Sequence, residues 1–150
     1  MINTASTSYN HGILELVRRK KEHTNVLIIG NNPIEMTTIY NNLNDYRTKN
    51  YIADVCFNVS DSFSKMLKNR PDCILLDDNI LVDQVKLFVK KLKENAKLRE
   101  IPIVLLKSSN FSFAFGNEVQ DFLLKGNMNM DVLSSAIERN TSFIKKLLKK

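Results

Sequence analysis

The most informative stretch of this sequence reads Pro71-Asp72-Cys73-Ile74-Leu75-Leu76-Asp77-Asp78-Asn79. An almost wholly apolar run over 72–76 ends directly in two carboxylates. A run of this length predicts a strand of a parallel sheet, because helices cover both faces of such sheets. Asp77 would then lie at the carboxyl end of the strand, partly shielded from water. A carboxylate there needs a cation or hydrogen-bond donors, or its pKa rises.

Similar apolar runs lie on either side of this segment, and each gap between them is long enough for a helix. Together they predict five strands, over 25–29, 51–58, 72–76, 101–106 and 119–124. Apolar residues at helical spacing predict helices after the first three strands and over about 129–148. Strands that alternate with helices indicate one open, doubly wound parallel sheet with helices on both faces.

Three polar residues are placed to begin helices. Asn32 is followed by Pro33 and then by Glu35, a capping-box pattern with an asparagine cap. Ser60 and Asp83 are predicted to cap the second and third helices.

Composition indicates one ordinary globular domain. The 150 residues are 43% apolar and carry a net charge of +6, close to globular averages. The basic excess lies mostly at the ends, with four basic against two acidic residues in 1–24 and five against two in 129–150. No basic stripe with interleaved aromatics is present, so nucleic acid is not the expected partner.

The chain is expected to be a cytoplasmic protein that does not enter a membrane. No apolar run is long enough to span a bilayer, and the first residues lack the pattern of a secretory signal. Cys56 and Cys73 lie in apolar segments and form no C-x-x-C pair, which indicates buried, reduced thiols. We predict an N-terminal extension over 1–24, which could form an extra helix, and one domain over 25–150.

Ligands of open parallel sheets bind at the carboxyl ends of the strands. The residues at those ends are therefore the candidates for a site: Gly30, Asn31, Asn32, Asp77, Asp78, Asn79, Lys107, Ser108, Ser109, Lys125 and Gly126. Lys125 is the natural partner of Asp77. The pair could be a structural ion pair or an anchor for a phosphoryl group.

Four segments, taken in order, resemble the receiver domain of two-component response regulators, and they extend over most of the chain from 25 to about 145. They are Val26-Leu27-Ile28-Ile29-Gly30-Asn31-Asn32-Pro33, the segment Pro71 to Asn79 quoted above, Ile101-Pro102-Ile103-Val104-Leu105-Leu106 and Asp121-Phe122-Leu123-Leu124-Lys125. The resemblance implies a flavodoxin-like (CheY-like) fold, phosphorylation of an aspartate and dependence on Mg²⁺. It also implies a switching face built from the fifth strand and the helices on either side of it.

The resemblance assigns roles to individual residues. Asp77 matches the phosphoacceptor, and Lys125 matches the lysine that pairs with the acyl phosphate. Asn79 lies where the family offers a backbone carbonyl to the metal. Phe122 matches the aromatic residue that reports the switch.

The chain departs from the family at several of these positions. The two acidic metal-binding residues fall on Gly30 and Asn31, and the hydroxyl that contacts the phosphoryl group falls on Lys107. Ser108 follows directly, but strand alternation should point it elsewhere. Gly126 replaces a proline after the conserved lysine of the family. The segment from Ser108 to Gly116 alternates with a period of two, so the helix between the last two strands should be short, unwound or missing.

Two interpretations of the site remain open. In the first, which we favour, Lys107 and Lys125 converge on Asp77, no cofactor is bound and the domain does not use phosphorylation. In the second, the lysines replace the metal and Asp77 is still phosphorylated slowly. A metal, if bound at all, would use Asp77 and Asn79, but Mg²⁺ prefers several anionic oxygens.

Aromatic and apolar residues suggest contact surfaces. Phe111, Phe113 and Phe115 either fill the core where the helix is short or form an exposed patch for a partner. Phe143, Ile144, Leu147 and Leu148 at the end of the last helix would suit a dimer or partner contact.

We therefore predict a stand-alone atypical receiver domain, not an enzyme, that acts as a signalling or regulatory protein–protein interaction module. Its partner would be a sensor kinase, a regulator or a downstream target, and a homodimer is an option. The alternative is a conventional single-domain response regulator phosphorylated on Asp77 by a histidine kinase, with Mg²⁺ as cofactor. A nucleotide-binding enzyme is disfavoured because the turn at residues 30–33 lacks the glycine spacing of a phosphate loop.

Overall fold

The computed structural model describes residues 23–108, 119 and 121–142. Within that part of the chain, five strands, four α-helices and one 3-10 turn follow one another. They are β1 (Thr24–Ile29), α1 (Pro33–Asp45), β2 (Tyr51–Cys56), α2 (Val59–Lys68), β3 (Cys73–Asp77), α3 (Val82–Glu94), β4 (Ile103–Lys107), β5 (Asp121–Leu124), the 3-10 turn Lys125–Asn127 and α4 (Met130–Thr141).

All five strands are parallel and form one sheet in the order β2-β1-β3-β4-β5. The predicted doubly wound, flavodoxin-like fold is therefore confirmed. The strand order reverses between β1 and β3, and ligands of open sheets bind outside the carboxyl ends of the strands at such a point. Ile29 of β1 is in register with Leu76 of β3. Gly30 and Asp77, the next residues, therefore lie side by side at this edge.

Helices cover both faces of the sheet, as the unbroken apolar strands predicted. On one face, α2 and α3 pack on strand residues such as Leu27 and Leu76. On the other face, α1 and α4 pack on residues such as Ile28 and Leu75. Every residue of β3 and β4 is buried. The polar residue that ends each strand is therefore buried as well.

The helix starts confirm one of the three predicted caps. The side chain of Asn32 accepts hydrogen bonds from the backbone N–H groups of Ile34 and Glu35, both at 3.1 Å, and Pro33 begins α1. The caps at Ser60 and Asp83 are wrong, because α2 begins one residue before Ser60 and α3 one residue before Asp83. The side chain of Asn58 caps α2 instead, and α3 has no side-chain cap.

The outer edge of β2 is closed by side chains from its surroundings. The backbone N–H of Ala53 donates to Asn44 Oδ1 at 3.0 Å, and that of Val55 donates to Asp54 Oδ1 at 2.9 Å. Lys65 Nζ donates to the carbonyl of Val55 at 3.1 Å. Exposed strand edges invite pairing with other chains, and occupying their polar groups prevents this.

Several predictions concern residues outside the described part of the chain. The extension over 1–24 falls almost wholly there, as do the segment with Phe111, Phe113 and Phe115 and the predicted change in the helix before β5. Phe143, Ile144, Leu147 and Leu148 also lie outside it. No helix among the described residues combines the length and apolar character needed to cross a membrane.

Candidate functional site

Asp77 and Lys125 meet at the carboxyl edge of the sheet. Asp77 is the last residue of β3 and is 0% exposed. Lys125 follows β5 directly, and its Nζ lies 2.7 Å from Asp77 Oδ1. The structure thus brings together the two residues that the sequence suggested as partners. β4 lies between their strands, so the lysine stem must cross that strand end to reach the aspartate.

A second carboxylate binds the same ammonium group. Lys125 Nζ lies 2.9 Å from Glu35 Oε1 in the first turn of α1. The other oxygen of Glu35 accepts a hydrogen bond from Asn32 Nδ2 at 3.4 Å, so one side chain supports the helix start and binds the lysine. Sequence reasoning assigned Glu35 only to the capping box and missed this second role. The available signal was its place in the first turn after β1, directly above the predicted site.

The electrostatics of Asp77 and Lys125 follow from burial and from each other. Burial raises the pKa of Asp77, while the hydrogen bond and the charge of Lys125 oppose that rise, and the nearby carboxylates of Glu35 and Asp78 add to it. Burial alone would lower the pKa of Lys125, but Asp77 and Glu35 outweigh it, so the pKa lies above its ordinary value. The lysine is therefore charged at neutral pH.

One oxygen of Asp77 has no hydrogen-bond partner among the described residues. Oδ2 is buried and receives no donor from them, whereas Oδ1 is bound by Lys125. A buried acceptor without a partner costs about 1–3 kcal/mol. Unsatisfied groups of this kind are rare in folded proteins and are common at functional sites.

The resemblance assigns the family's two acidic positions to Gly30 and Asn31. A Cβ at Gly30 would overlap Met36 Sδ and lie 2.9 Å from Asp77 Cβ. Met36 is 0% exposed, so an acidic side chain at position 30 would have to displace a core residue. Asn31 is exposed, and its Nδ2 donates to the backbone carbonyl of Asn79 at 3.3 Å.

Two oxygens to which the resemblance assigns a metal are engaged by other groups at this edge. Mg²⁺ demands nearly octahedral oxygen coordination and is usually bound through one or two carboxylates. Here an ammonium group binds Asp77 Oδ1, and an amide binds the Asn79 carbonyl that the resemblance assigned to the metal. Across residues 23–108 and 121–142, no group of three His, Cys, Asp or Glu side chains could hold a metal ion.

The predicted convergence of Lys107 on Asp77 is wrong. Asp77 is in register with Leu106, and successive side chains of a strand point to opposite faces. Lys107 therefore leaves the sheet on the other face, where its Nζ lies 4.8 Å from the ring centroid of Phe122. A cation at this distance from an aromatic ring is attracted to the ring face. Phe122 itself is 58% exposed.

Ser108 binds Asp78 and not Asp77. Its hydroxyl donates to Asp78 Oδ1 and its backbone N–H to Asp78 Oδ2, both at 2.8 Å. These bonds tie the residue after β3 to the residue after β4. Asp78 Oδ1 also lies 3.9 Å from Lys125 Nζ, so one ammonium group is within reach of three carboxylates.

Comparisons of sequence find no relatives, whereas comparisons of structure find many. No protein-family model matches the chain, and no curated protein matches its sequence. The chemotaxis protein CheY4 of Vibrio cholerae superimposes with a TM-score of 0.67 at 21% identity, covering 78% of this chain and 98% of that one.

Two further solved structures extend the likeness. The signal receiver domain of a signal transduction histidine kinase from Syntrophus aciditrophicus has a TM-score of 0.64 at 23% identity, covering 81% of this chain and 92% of its own. The response regulator protein TrrA of Thermotoga maritima, solved in complex with Mg²⁺ and BeF, has a TM-score of 0.65 at 15% identity, covering 78% and 98%. The structural neighbours of this chain are thus receiver domains, and at these identities the likeness establishes the fold.

Proposed function

We propose that this chain is an atypical receiver domain that acts as a signalling or regulatory protein–protein interaction module, without Mg²⁺-dependent phosphorylation of Asp77. Lys125 carries the proposal, because its ammonium group lies 2.7 Å from Asp77 and 2.9 Å from Glu35. The ammonium group of Lys125 neutralises the charge of two carboxylates at the place where the receiver family uses a metal.

The surroundings of Asp77 support the same proposal. Phosphoryl transfer requires the attacking oxygen to approach phosphorus to about 3–3.5 Å, with charge on the transferring oxygens offset by cations. Asp77 is 0% exposed, and the acids that would recruit a metal are replaced by Gly30 and Asn31. Both requirements are therefore poorly met.

The proposed partners are proteins. Receiver domains act through contacts with kinases and effectors, and similar structures include a chemotaxis protein and a receiver domain of a sensor kinase. We infer that this module works in the cytoplasm, where Cys56 and Cys73 would stay reduced. Its partner would be a sensor kinase, a regulator or a downstream target, with a second copy of the chain as a further option. The proposal assigns no catalytic residue.

An amide NMR titration tests the proposal most directly. Mg²⁺ is added first and beryllofluoride, a mimic of the aspartyl phosphate, is added second. We expect the signals of Asp77, Lys125 and Phe122 to stay in place. The matched control is Asn31→Asp, which adds a carboxylate at an exposed position beside the Asn79 carbonyl and should gain a response to Mg²⁺. Shifts in the wild type that spread from Asp77 to Phe122 would contradict the proposal.

One observation favours the alternative, a conventional response regulator phosphorylated on Asp77 by a histidine kinase. No residue in the described part of the chain donates a hydrogen bond to Asp77 Oδ2, which leaves one oxygen for a phosphoryl group. Incubation with acetyl phosphate and Mg²⁺, followed by mass spectrometry of the intact protein, distinguishes the two. A phosphoryl adduct on the wild type that is lost in Asp77→Ala would establish the alternative, and partner binding that survives Asp77→Ala would support the proposal.

A further inference from the structure

A cavity of about 300 Å³ lies at the opposite end of the sheet from Asp77. It lies between the end of α2 with the loop before β3 and the loop between α3 and β4. Its lining consists of Met66, Leu67, Arg70, Lys97 and Leu98. Met66 and Leu98 form a buried apolar floor, at 0% and 1% exposure, while Leu67 at the rim is 54% exposed. The cavity thus presents an apolar floor to solvent.

Two cations stand at the rim of this cavity. Arg70 Nε donates to the backbone carbonyl of Lys97 at 2.8 Å, which holds the two loops together. Both side chains are exposed, and neither forms an ion pair with any residue in the described part of the chain. The acidic residue nearest to Arg70 in sequence is Asp72, and its Oδ2 accepts the backbone N–H of Asn25 at 2.8 Å.

We propose that this cavity binds an acidic segment of a protein partner, which inserts one apolar side chain over Met66 and Leu98 and places carboxylates against Arg70 and Lys97. An apolar pocket with charge at its rim is the usual form of an anchor site in a protein interface. Because Arg70 and Lys97 form no ion pair with the described residues, they favour negative charge on the occupant.

The size and shape of the cavity favour a side chain over a small ligand. Pockets for small molecules cover about 300–1,000 Å³ and bury most of the ligand. This cavity lies at the lower limit of that range and opens to solvent beside Leu67. The inference goes beyond the proposed function, because β3 separates the cavity from Asp77 and neither site requires the other.

Methyl and amide NMR of the full chain tests the inference with a defined probe, the acetylated and amidated peptide Asp-Glu-Leu-Phe-Glu-Asp. We expect saturable shifts confined to Met66, Leu67 and Leu98 and their neighbours. A peptide with lysine at the four acidic positions, and one with alanine in place of Leu and Phe, should each bind at least tenfold more weakly. The signals of Asp77 and Lys125 should not move, so this test is independent of phosphorylation.

Charge reversal at the rim supplies the protein-side test. Lys97→Glu keeps the backbone carbonyl that Arg70 binds, so the loops stay connected, and we expect at least tenfold weaker binding of the acidic peptide. Lys86→Glu is the matched control, since Lys86 is an exposed lysine in the first half of α3. Its binding should stay within twofold of the wild type.

Four outcomes would overturn the inference. The first is equal binding of the acidic and the lysine-substituted peptide. The second is no peptide binding, with shifts from 4-phenylbutyrate instead, which would make the site one for small carboxylates. The third is dependence of the same signals on protein concentration alone, which would identify a second copy of the chain as the occupant. The fourth is movement of these signals when residues 1–22 are deleted, which would identify that segment as the occupant.

Discussion

Asp77 and Asp121 belong to strands of the same sheet, and each forms a close ion pair with one cation. The two carboxylates differ in burial and in the number of hydrogen bonds that they accept. Asp77 is fully buried, and within residues 23–108, 119 and 121–142 only its Oδ1 has a hydrogen-bond partner. Asp121 has a side chain that is 21% exposed, and both of its oxygens accept hydrogen bonds. Its donors are the backbone N–H of Phe122 and the side chains of Arg139 and Asn140.

The pKa values of the two aspartates shift in opposite directions. Burial raises the pKa of Asp77, and Lys125 does not compensate fully. Burial also acts to raise the pKa of Asp121, but the hydrogen bonds from Arg139 and Asn140 outweigh it and lower the pKa. Deeper burial, fewer hydrogen-bond donors and two nearby carboxylates all act to raise the pKa of Asp77 relative to that of Asp121. The hydrogen bonds of Asp121 with Arg139 and Asn140 connect β5 to α4. Burial of the Asp77 carboxylate instead costs folding free energy at the carboxyl edge of the sheet.

Removing Lys125 should have the largest effect. Lys125→Met leaves the charge of Asp77 buried without a cation, and such changes cost about 3–5 kcal/mol of unfolding free energy. Urea denaturation measures the loss. Adding Asp77→Asn should recover about half of it, because the uncompensated charge is then gone. If the unfolding free energy lost by the double variant equals the sum of the two single losses, the uncompensated charge of Asp77 is not the cause of the loss.

The next largest effect should come from filling the space beside Asp77. Gly30→Ala places a Cβ against Met36 Sδ and 2.9 Å from Asp77 Cβ, and overpacking of this kind costs about 1–3 kcal/mol. Gly126→Ala is the matched control, because a Cβ there meets no atom of the described residues within 4 Å, and we expect a change within about 0.5 kcal/mol. Thermal or urea unfolding checks both. Equal losses at the two glycines would show that the edge at Asp77 is not tightly packed.

A smaller loss is expected for the ion pair at Asp121. Arg139 has a side chain that is 54% exposed, and exposed pairs contribute about 0.2–1 kcal/mol. Arg139→Ala should therefore cost about 1 kcal/mol or less. Added salt should shrink this difference, while the cost of Lys125→Met should change little, because buried pairs are screened less. Equal salt dependence of the two variants in urea unfolding would contradict the contrast.

The smallest expected effect is a difference in the sign of two pH slopes. The lowered pKa of Asp121 stabilises the fold above the unfolded-state pKa, and that contribution is lost as the pH falls through the folded-state pKa. The raised pKa of Asp77 acts in reverse, and the cost of ionising it appears as the pH rises. Relative to wild type, Asp121→Asn should lose more stability as pH rises from about 3 to 6.

Over the same range, Asp77→Asn should lose less stability or gain some. Urea unfolding at several pH values measures both slopes. Slopes of the same sign would mean that burial does not distinguish the two carboxylates.

The sequence predicts the sheet because buried parallel strands consist of unbroken apolar runs. β3 is such a run from Cys73 to Leu76. The sequence also predicted that Asp77 and Lys125 would meet, since both lie at the carboxyl ends of strands of one sheet. These features depend on neighbours in the chain and on one rule of topology, that strand ends share an edge.

The errors arose where several forces compete for one side chain. Glu35 was assigned to the capping box, and its contact with Lys125 depends on a residue 90 positions away. The position of Lys107 at the end of β4 predicts contact with Asp77, but strand alternation directs its side chain to the other face, over Phe122. Asn58 and Ser60 are both good caps by residue type, and the side chain of Asn58 is the one that caps α2.

The side chains that bind the polar groups of the β2 edge affect when this edge becomes protected from pairing with other chains during synthesis. Asn44 lies nine residues from the amide it covers, and Lys65 lies ten residues from the carbonyl it covers. Both contacts are local, and local contacts form before those that close long loops. The outer strand can therefore be sealed by its own flanking helices while β4 and β5 are still being synthesised. Neighbouring nascent chains on one messenger RNA would then encounter a strand edge whose polar groups are already hydrogen-bonded.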